Sequence, residues 1–283
     1  MKVIPNSTVG AQIEGVDLAR AGRADIELIK QAWYRHDVLV FRKQKLSDDG
    51  LLAFSRHFGT LDPPPNQGAG QKSPPGYPDV YVVSNVRDAK GEPIGALGDG
   101  EAAWHTDMSY IAWPPDASML YSLEIPAKGG DTCFCSMRAA FKAMPRALVE
   151  RIQGLDIKHD ATYDSGGYLR KGVNASDDPR NSPGTPHPIV IEHPESGEKS
   201  LYLGRRRNAY IVGLELDESE RLLDEIWSYA EAAVYRHQWA LGDLVLWDNR
   251  TTMHRRDAFD PKGRRVMHRT QIKGSHAPRR AAL

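Results

Sequence analysis

Apolar residues along the chain follow two rhythms, and the rhythm changes at glycine, proline, asparagine and aspartate. Ile26, Ile29 and Trp33 recur at helical spacing, which predicts a first helix ended by Asp37. Ser47 reads as the N-cap of a second helix that carries Leu51, Leu52, Phe54, Ser55 and Phe58 and closes at Gly59. A third runs through Met137, Ala140, Phe141, Met144, Leu148 and Ile152, with Pro145 forcing a kink or restart and Gly154 stopping it. A fourth spans 214–234 with Leu222, Leu223, Ile226 and Tyr229. Val38-Leu39-Val40-Phe41 is a continuous apolar run and so reads as a buried strand, and Gly242-Asp243 turns the chain into a further strand, Leu244-Val245-Leu246-Trp247. Further short strands are expected at 11–16, 79–86, 102–110, 118–125, 133–135, from Tyr235, at 251–254 and at 266–272. Ile189-Val190-Ile191 and Leu201-Tyr202-Leu203 flank a turn as a hairpin. Two stretches, 62–78 and 163–186, hold too much Pro, Gly, Ser, Asn and Asp to form regular elements and read as long surface loops, the second as a lid. Many short strands, with helices gathered at the N-terminus and in two insertions, predict a mainly β fold with helical decoration, a sandwich or jelly roll.

Composition narrows the class. With 283 residues and 40% hydrophobic content the chain can bury a sizeable core, and one domain over 1–283 is expected. Lys plus Arg and Asp plus Glu are both 37, so there is no overall pull toward nucleic acid or a membrane surface. Arg205-Arg206-Arg207 and Arg279-Arg280 are expected to be solvated. Met1-Lys2-Val3-Ile4-Pro5 lacks the apolar run of a signal peptide, no stretch has the length of a membrane span, and a cytoplasmic protein is expected. Cys133 and Cys135 are too few for a disulfide framework and read as buried thiols.

The chemistry centres on Trp104-His105-Thr106-Asp107. On a strand, positions i and i+2 share a face, so His105 and Asp107 would enter one pocket as two of the three ligands of a 2-His-1-carboxylate metal site. The pattern alone is weak, because ten His and 37 acids should produce His-x-Asp/Glu about once by chance. A second match, His193-Pro194-Glu195, carries a proline and Ser196-Gly197, and reads as a turn. His254, late in a β region and just after a tight hairpin, is the best candidate for the third ligand. Arg265, Met267 and Arg269 would share one face of the last strand, and two core-facing arginines need anions. At about 13 Å apart they would serve two different acids, one deep and one near the opening. The opposite reading, with Arg264, Val266, His268 and Thr270 inward, stays open on pattern alone.

Together these residues resemble the taurine/2,4-dichlorophenoxyacetate dioxygenases, which are Fe(II)- and 2-oxoglutarate-dependent enzymes on a double-stranded β-helix (jelly roll). The resemblance runs through Val38-Leu39-Val40-Phe41-Arg42, Phe54-Ser55-Arg56-His57-Phe58-Gly59, Trp104-His105-Thr106-Asp107, Gly129-Gly130-Asp131-Thr132, the stretch from Gly242 to Arg250, His254, and Arg264-Arg265-Val266-Met267-His268-Arg269. It implies iron held by His105, Asp107 and His254, the distal carboxylate of 2-oxoglutarate held by Thr132 and Arg265, O2 as the other cosubstrate, and a homo-oligomer. It also implies Arg269 facing the anionic head of a small organic substrate, with Met108 and Tyr110 beside it. Cys135-Ser136-Met137-Arg138-Ala139-Ala140 looks closer to the phenoxyacetate side of the family. The taurine side carries a loop histidine where Pro63-Pro64-Pro65-Asn66-Gln67 stands, and a polar pair where Gly100 and Glu101 stand. The expected substrate is therefore an aryloxy or other apolar-bodied carboxylate, with Tyr110, Trp113, Tyr163 and Tyr168 as an aromatic wall, and a sulfonate or alkylsulfate is the alternative. Two rival classes share part of the pattern: a jelly-roll binding protein with a structural metal, and a zinc hydrolase using the same ligands and a water.

Overall fold

Val38-Leu39-Val40-Phe41 is fully buried because its two faces meet two different layers. Leu39 and Phe41 join a cluster with Ile26, Ile29, Trp33, Leu51 and Phe54, whereas Val38 and Val40 join one with Val245, Trp247, Met267 and Phe134. The computed structural model that shows this describes residues 1–63, 73–97, 102–164 and 166–282. Most of the loop expected at 62–78, the Pro64 to Gln67 part of the proline-rich stretch and the Gly100-Glu101 pair lie outside the described residues. The first half of the chain forms β1 (Lys2–Pro5), β2 (Ala11–Glu14), α1 (Arg23–His36), β3 (Val38–Phe41), α2 (Asp48–Arg56), β4 (Tyr81–Ser84), β5 (Ala96–Leu97), β6 (Ala102–His105), β7 (Ala117–Glu124), β8 (Thr132–Ser136) and α3 (Met137–Ala143). The second half forms α4 (Arg146–Ile152), β9 (Asp156–Lys158), β10 (Pro186–Pro188), β11 (Val190–Glu192), β12 (Lys199–Leu201), β13 (Tyr210–Ile211), α5 (Leu216–Trp227), β14 (Val234–His237), β15 (Leu244–Asp248), β16 (Thr252–Arg256) and β17 (Val266–Ile272).

Among the described residues, one sheet has the order β1-β2-β3-β15-β7-β17-β4-β5 and a second the order β14-β8-β16-β6. Phe134 of the second sheet packs on Trp247 of the first with ring centroids 5.6 Å apart, so the sheets face each other as a jelly roll. The outer face of the large sheet is covered by α1 and α2, where Ile26, Ile29 and Trp33 each bury a side chain worth about 1.5–3 kcal/mol. Ser47 caps α2 by accepting from Gly50 N at 3.2 Å, as its sequence predicts. A third cluster joins α3, α4, α5 and the β11–β12 hairpin, and Pro145 does separate α3 from α4. Cys133 and Cys135 are buried free thiols.

The last strand settles which side its arginines take. His268 turns out to Asp48 at the start of α2, with Nδ1 2.5 Å from Oδ1, and the Thr270 hydroxyl bonds Ser55 of the same helix at 2.7 Å. Arg265, Met267 and Arg269 therefore face the space between the sheets, and all three are buried.

Some elements differ from their sequence expectation. The helix expected over 214–234 stops at Trp227, and residues 228–233 are turns that lead into β14. β10 and β13 each pair with β9 between them, but at two or three residues each these strands are too short to leave a periodic signal. The strand expected over 102–110 ends at His105, and Asp107 to Tyr110 form a turn with Met108 at φ 48°. Long-range partners account for this turn. Thr106 N donates to the Gly204 carbonyl at 3.0 Å and Asp107 N to Asn249 Oδ1 at 2.8 Å, which takes both groups out of a strand ladder.

Candidate active site

His105 closes β6 and His254 lies opposite it in β16, so antiparallel pairing sets the two rings 4.2 Å apart. Asp107 reaches the same point from the turn, not from the strand pleat. Its Oδ1 lies 3.6 Å from His105 Nε2 and 3.8 Å from His254 Nε2. Asn249, in the tight turn between β15 and β16, holds the Asp107 backbone from both sides: its Oδ1 accepts from Asp107 N, and its Nδ2 donates to Asp107 O at 3.0 Å and Pro115 O at 2.9 Å. One ligand is thus aimed by a side chain from the strand pair that delivers another.

The protonation pattern suits a metal. His105 Nδ1 donates to the Ala103 carbonyl at 2.8 Å, a bond that turns the ring so that Nε2 faces Asp107. Burial, reinforced by His105, pushes the His254 imidazole well below its ordinary range and keeps it neutral. Burial alone would raise the Asp107 carboxyl, but Arg269, His254 and His105 outweigh it and hold the group well below the usual carboxylate range. The three ligand atoms fall within 4.8 Å of one another, so the set can close around one ion, and two imidazoles with one carboxylate fit divalent iron with positions left open. His193 behaves as a structural residue, buried and bonded through Nε2 to Asp248 Oδ2 at 2.9 Å, while Glu195 pairs with Arg250.

Two arginines complete the interior. Arg269 Nη2 donates to Asp107 Oδ2 and to Ser118 Oγ, the latter at 2.7 Å, so the iron-side carboxylate is oriented by its outer oxygen. Its buried Nε has no partner among the described residues. Tyr81 and Trp247 wall this guanidinium, each ring 5.2 Å from its centre. Arg265 lies deeper, with Nε and Nη2 buried and unpartnered among the described residues. Burial, and then the like charge of Arg256, pushes its guanidinium down to about 9. Gly130, at φ 71°, runs close against it, since a Cβ there would stand 3.4 Å from Arg265 Nε. Thr132 pairs with Arg256 across β8 and β16, two positions, or about 7 Å along the strands, from the Phe134–His254 pair. The Thr132 hydroxyl accepts from Trp239 Nε1 at 3.0 Å.

A taurine catabolism dioxygenase TauD, TfdA family model matches residues 2–271. The chain belongs to this family. Members similar to it include the (S)-phenoxypropionate/alpha-ketoglutarate-dioxygenase of Delftia acidovorans, 32% identical with 98% of this chain and 96% of that one aligned. The alpha-ketoglutarate-dependent 2,4-dichlorophenoxyacetate dioxygenase of Cupriavidus pinatubonensis is 36% identical over 92% of each chain. Among solved structures, AAD-2 in complex with Mn(II) and N-oxalylglycine superposes with a TM-score of 0.80 at 27% identity, covering 98% of this chain and 99% of that one. This TauD/TfdA-family protein is accordingly a 2-oxoglutarate-dependent non-haem iron dioxygenase that uses Fe(II), 2-oxoglutarate and O2, and the hydrolase and binding-protein readings fall away.

Not every residue singled out in the sequence lies at the site of this family member. Trp113 and Tyr168 are 57% and 75% exposed, so neither forms a buried aromatic wall. Tyr163 is covered by Arg207, whose guanidinium centre is 3.4 Å from its ring. Tyr110 is near the site, where Asp107 acts on its phenol. Met108 offers its Sδ to Gln271 Nε2 at 3.2 Å. Tyr81, Ser118, Trp239 and Asn249 escape sequence reasoning, since each acts through a contact between distant strands that no local spacing reports. No helix among the described residues is long and apolar enough to cross a membrane.

Proposed function

We propose that this dioxygenase hydroxylates a small organic acid with an apolar body, an aryloxy carboxylate in preference to taurine, over a metal held by His105, Asp107 and His254. The observation that carries this reading is the Arg269 guanidinium. One edge is spent on Asp107 and Ser118, while Nε stays buried and unpaired beside Tyr81 and Trp247. A carboxylate meeting that Nε would sit next to an iron ligand, and its apolar remainder would meet aromatic walls. The names of the phenoxy-acid relatives favour the same class.

Thr132 and Arg265 take the distal carboxylate of 2-oxoglutarate in this reading. Because the Trp239 N–H occupies a lone pair of the Thr132 hydroxyl, that hydroxyl is left to donate its own hydrogen to the carboxylate. When bound, iron couples oxidative decarboxylation of 2-oxoglutarate to succinate and CO2 with hydroxylation of a substrate C–H. The chain's own contribution is to anchor both acids so that one C–H points at the metal, and to exclude water. The 163–186 segment helps to keep water out, because Thr185 N bonds the Tyr110 carbonyl at 3.0 Å and the Arg170 guanidinium centre lies 4.5 Å over the Tyr110 ring. A product hydroxylated at an ether carbon would then release the aryl alcohol.

A competition between phenoxyacetate and taurine, read as succinate formed with Fe(II) and ascorbate, tests the substrate class. Phenoxyacetate is expected to win. Arg269→Ala, assayed with iron in excess because Asp107 loses its partner, should raise KM for the acid far more than KM for 2-oxoglutarate. A taurine preference, or an effect confined to 2-oxoglutarate, overturns the reading. Trp239→Phe removes one hydrogen bond and should weaken 2-oxoglutarate binding by about 2- to 10-fold while the primary substrate's KM stays put. Equal losses for both ligands would count against the positioning role of Trp239.

A further inference from the structure

Tyr81 opens β4 and stands directly opposite Arg269 in the antiparallel pairing of β4 with β17, so the two side chains leave the sheet on one face, into the space between the sheets. It is 4% exposed and packs in the cluster of Val245, Trp247 and Met267. Its ring centre is 5.2 Å from the centre of the Arg269 guanidinium. Tyrosine and arginine side chains have similar reach, so the phenol oxygen of Tyr81 ends at about the depth of that guanidinium.

A buried tyrosine usually finds a partner for its hydroxyl. Tyr121 of the same sheet donates to the Gln44 carbonyl at 2.9 Å and accepts from Leu46 N at 3.1 Å. The Tyr81 hydroxyl makes no hydrogen bond among the described residues. Two neighbouring donors share its condition, since Arg269 Nε and Trp247 Nε1 are buried without partners among the described residues, and the Trp247 ring also lies 5.2 Å from the guanidinium centre. Burial raises the Tyr81 phenol above its ordinary value against the pull of Arg269, so it stands as a neutral O–H with a hydrogen to give. Asp107 does not meet these donors, because its Oδ2 accepts from Arg269 Nη2 and its Oδ1 faces the two histidines. A group that only accepts, with several lone pairs, answers such a set, and a carboxylate is one.

Resting on the organic-acid reading above, we propose that the Tyr81 hydroxyl is a specificity-determining contact, donating to the substrate carboxylate that Arg269 Nε also holds. The face of the ring backs the guanidinium, and its hydroxyl reads the acid head. One donor alone would leave the carboxylate free to swivel on Arg269. A second donor fixes its roll, and with it the direction in which the next carbon leaves toward the metal ligands. Tyr81 thereby acts on where the substrate C–H points as well as on how tightly the acid binds.

Tyr81→Phe keeps the ring and removes one hydroxyl, and circular dichroism verifies that the variant folds. Calorimetry on the protein loaded with Mn(II) and 2-oxoglutarate should show phenoxyacetate bound at least about 10-fold more weakly by the variant, the loss of a hydrogen bond to a charged group. The affinity for 2-oxoglutarate itself should stay within about 2-fold, since its carboxylate has other partners. The fold-loss should be the same for 4-chlorophenoxyacetate, because the hydroxyl meets the head that the two acids share. With Fe(II), the phenol released per succinate formed should fall at least about 2-fold in the variant, as the acid loses its aim. Unchanged phenoxyacetate affinity in Tyr81→Phe, an equal loss for 2-oxoglutarate, or a loss for only one of the two phenoxy acids overturns the role of Tyr81 and leaves the organic-acid reading standing. Failure of phenoxyacetate to bind the unaltered protein brings down both.

Discussion

An Arg265→Ala enzyme is expected to need at least about 30-fold more 2-oxoglutarate for half-maximal turnover. Arg265 is 1% exposed, and two of its nitrogens have no partner among the described residues. Asp131 acts on it only from a distance while pairing with Arg236 at 3.6 Å. Burial, and then Arg256, pushes its guanidinium down to about 9, so the interior alone supports the charge poorly. In the proposed assignment a bound carboxylate supplies the missing partner, and removing one member of such a buried pair costs about 2–5 kcal/mol. The same reasoning gives a second readout. Without ligand the charge is a burden, so the unliganded Arg265→Ala protein should melt no lower than expected for the loss of the side chain's packing, and 2-oxoglutarate should no longer raise its melting temperature. Unchanged dependence on 2-oxoglutarate would falsify the assignment.

The second large effect concerns His254. His254→Ala should stay folded yet lose more than about 100-fold in turnover, since even groups one step removed from a metal cost 10- to 100-fold. The ring contributes to packing, 4.9 Å from the Trp247 ring and 6.1 Å from that of Phe134, so some loss of stability is expected as well. Iron retained after gel filtration, measured beside the far-ultraviolet circular dichroism spectrum, separates a lost ligand from a lost fold. A variant that holds iron and turns over normally would remove His254 from the site.

Much of this arrangement is legible in the chain. Val38-Leu39-Val40-Phe41 reads as a buried strand, and it does separate the helical layer from the space between the sheets, as does Leu244-Val245-Leu246-Trp247 beside it. His105, Asp107 and His254 stand out by residue type, and the structure brings all three together. Local spacing gives only part of the reason for Asp107, however. Pleat alternation does not aim it; the turn and Asn249 do, and a side chain 142 residues away leaves no trace in a local pattern. Arg205 escapes for a related reason: charge composition cannot distinguish it from Arg206, yet Arg205 donates to the Tyr163 carbonyl at 2.6 Å while Arg206 pairs with Glu220 at 2.7 Å. Trp113 and Tyr168 fail in the opposite direction, since an aromatic residue in a loop carries no indication of which way it faces.

The grip of Asn249 on Asp107 has a consequence for the order of assembly. Asp107 takes its bound geometry only after the turn between β15 and β16 has arrived, and that turn becomes available only when nearly the whole chain has been made. Such distant pairing is slow, because the entropy of closing a long loop must be met before any contact rewards it. A nascent or partly folded chain would therefore offer iron one histidine and a wandering carboxylate, too weak a set to capture it. Metal should load after the last strands close, so refolding rates should be indifferent to added Fe(II) while the unfolding rate of the loaded protein slows.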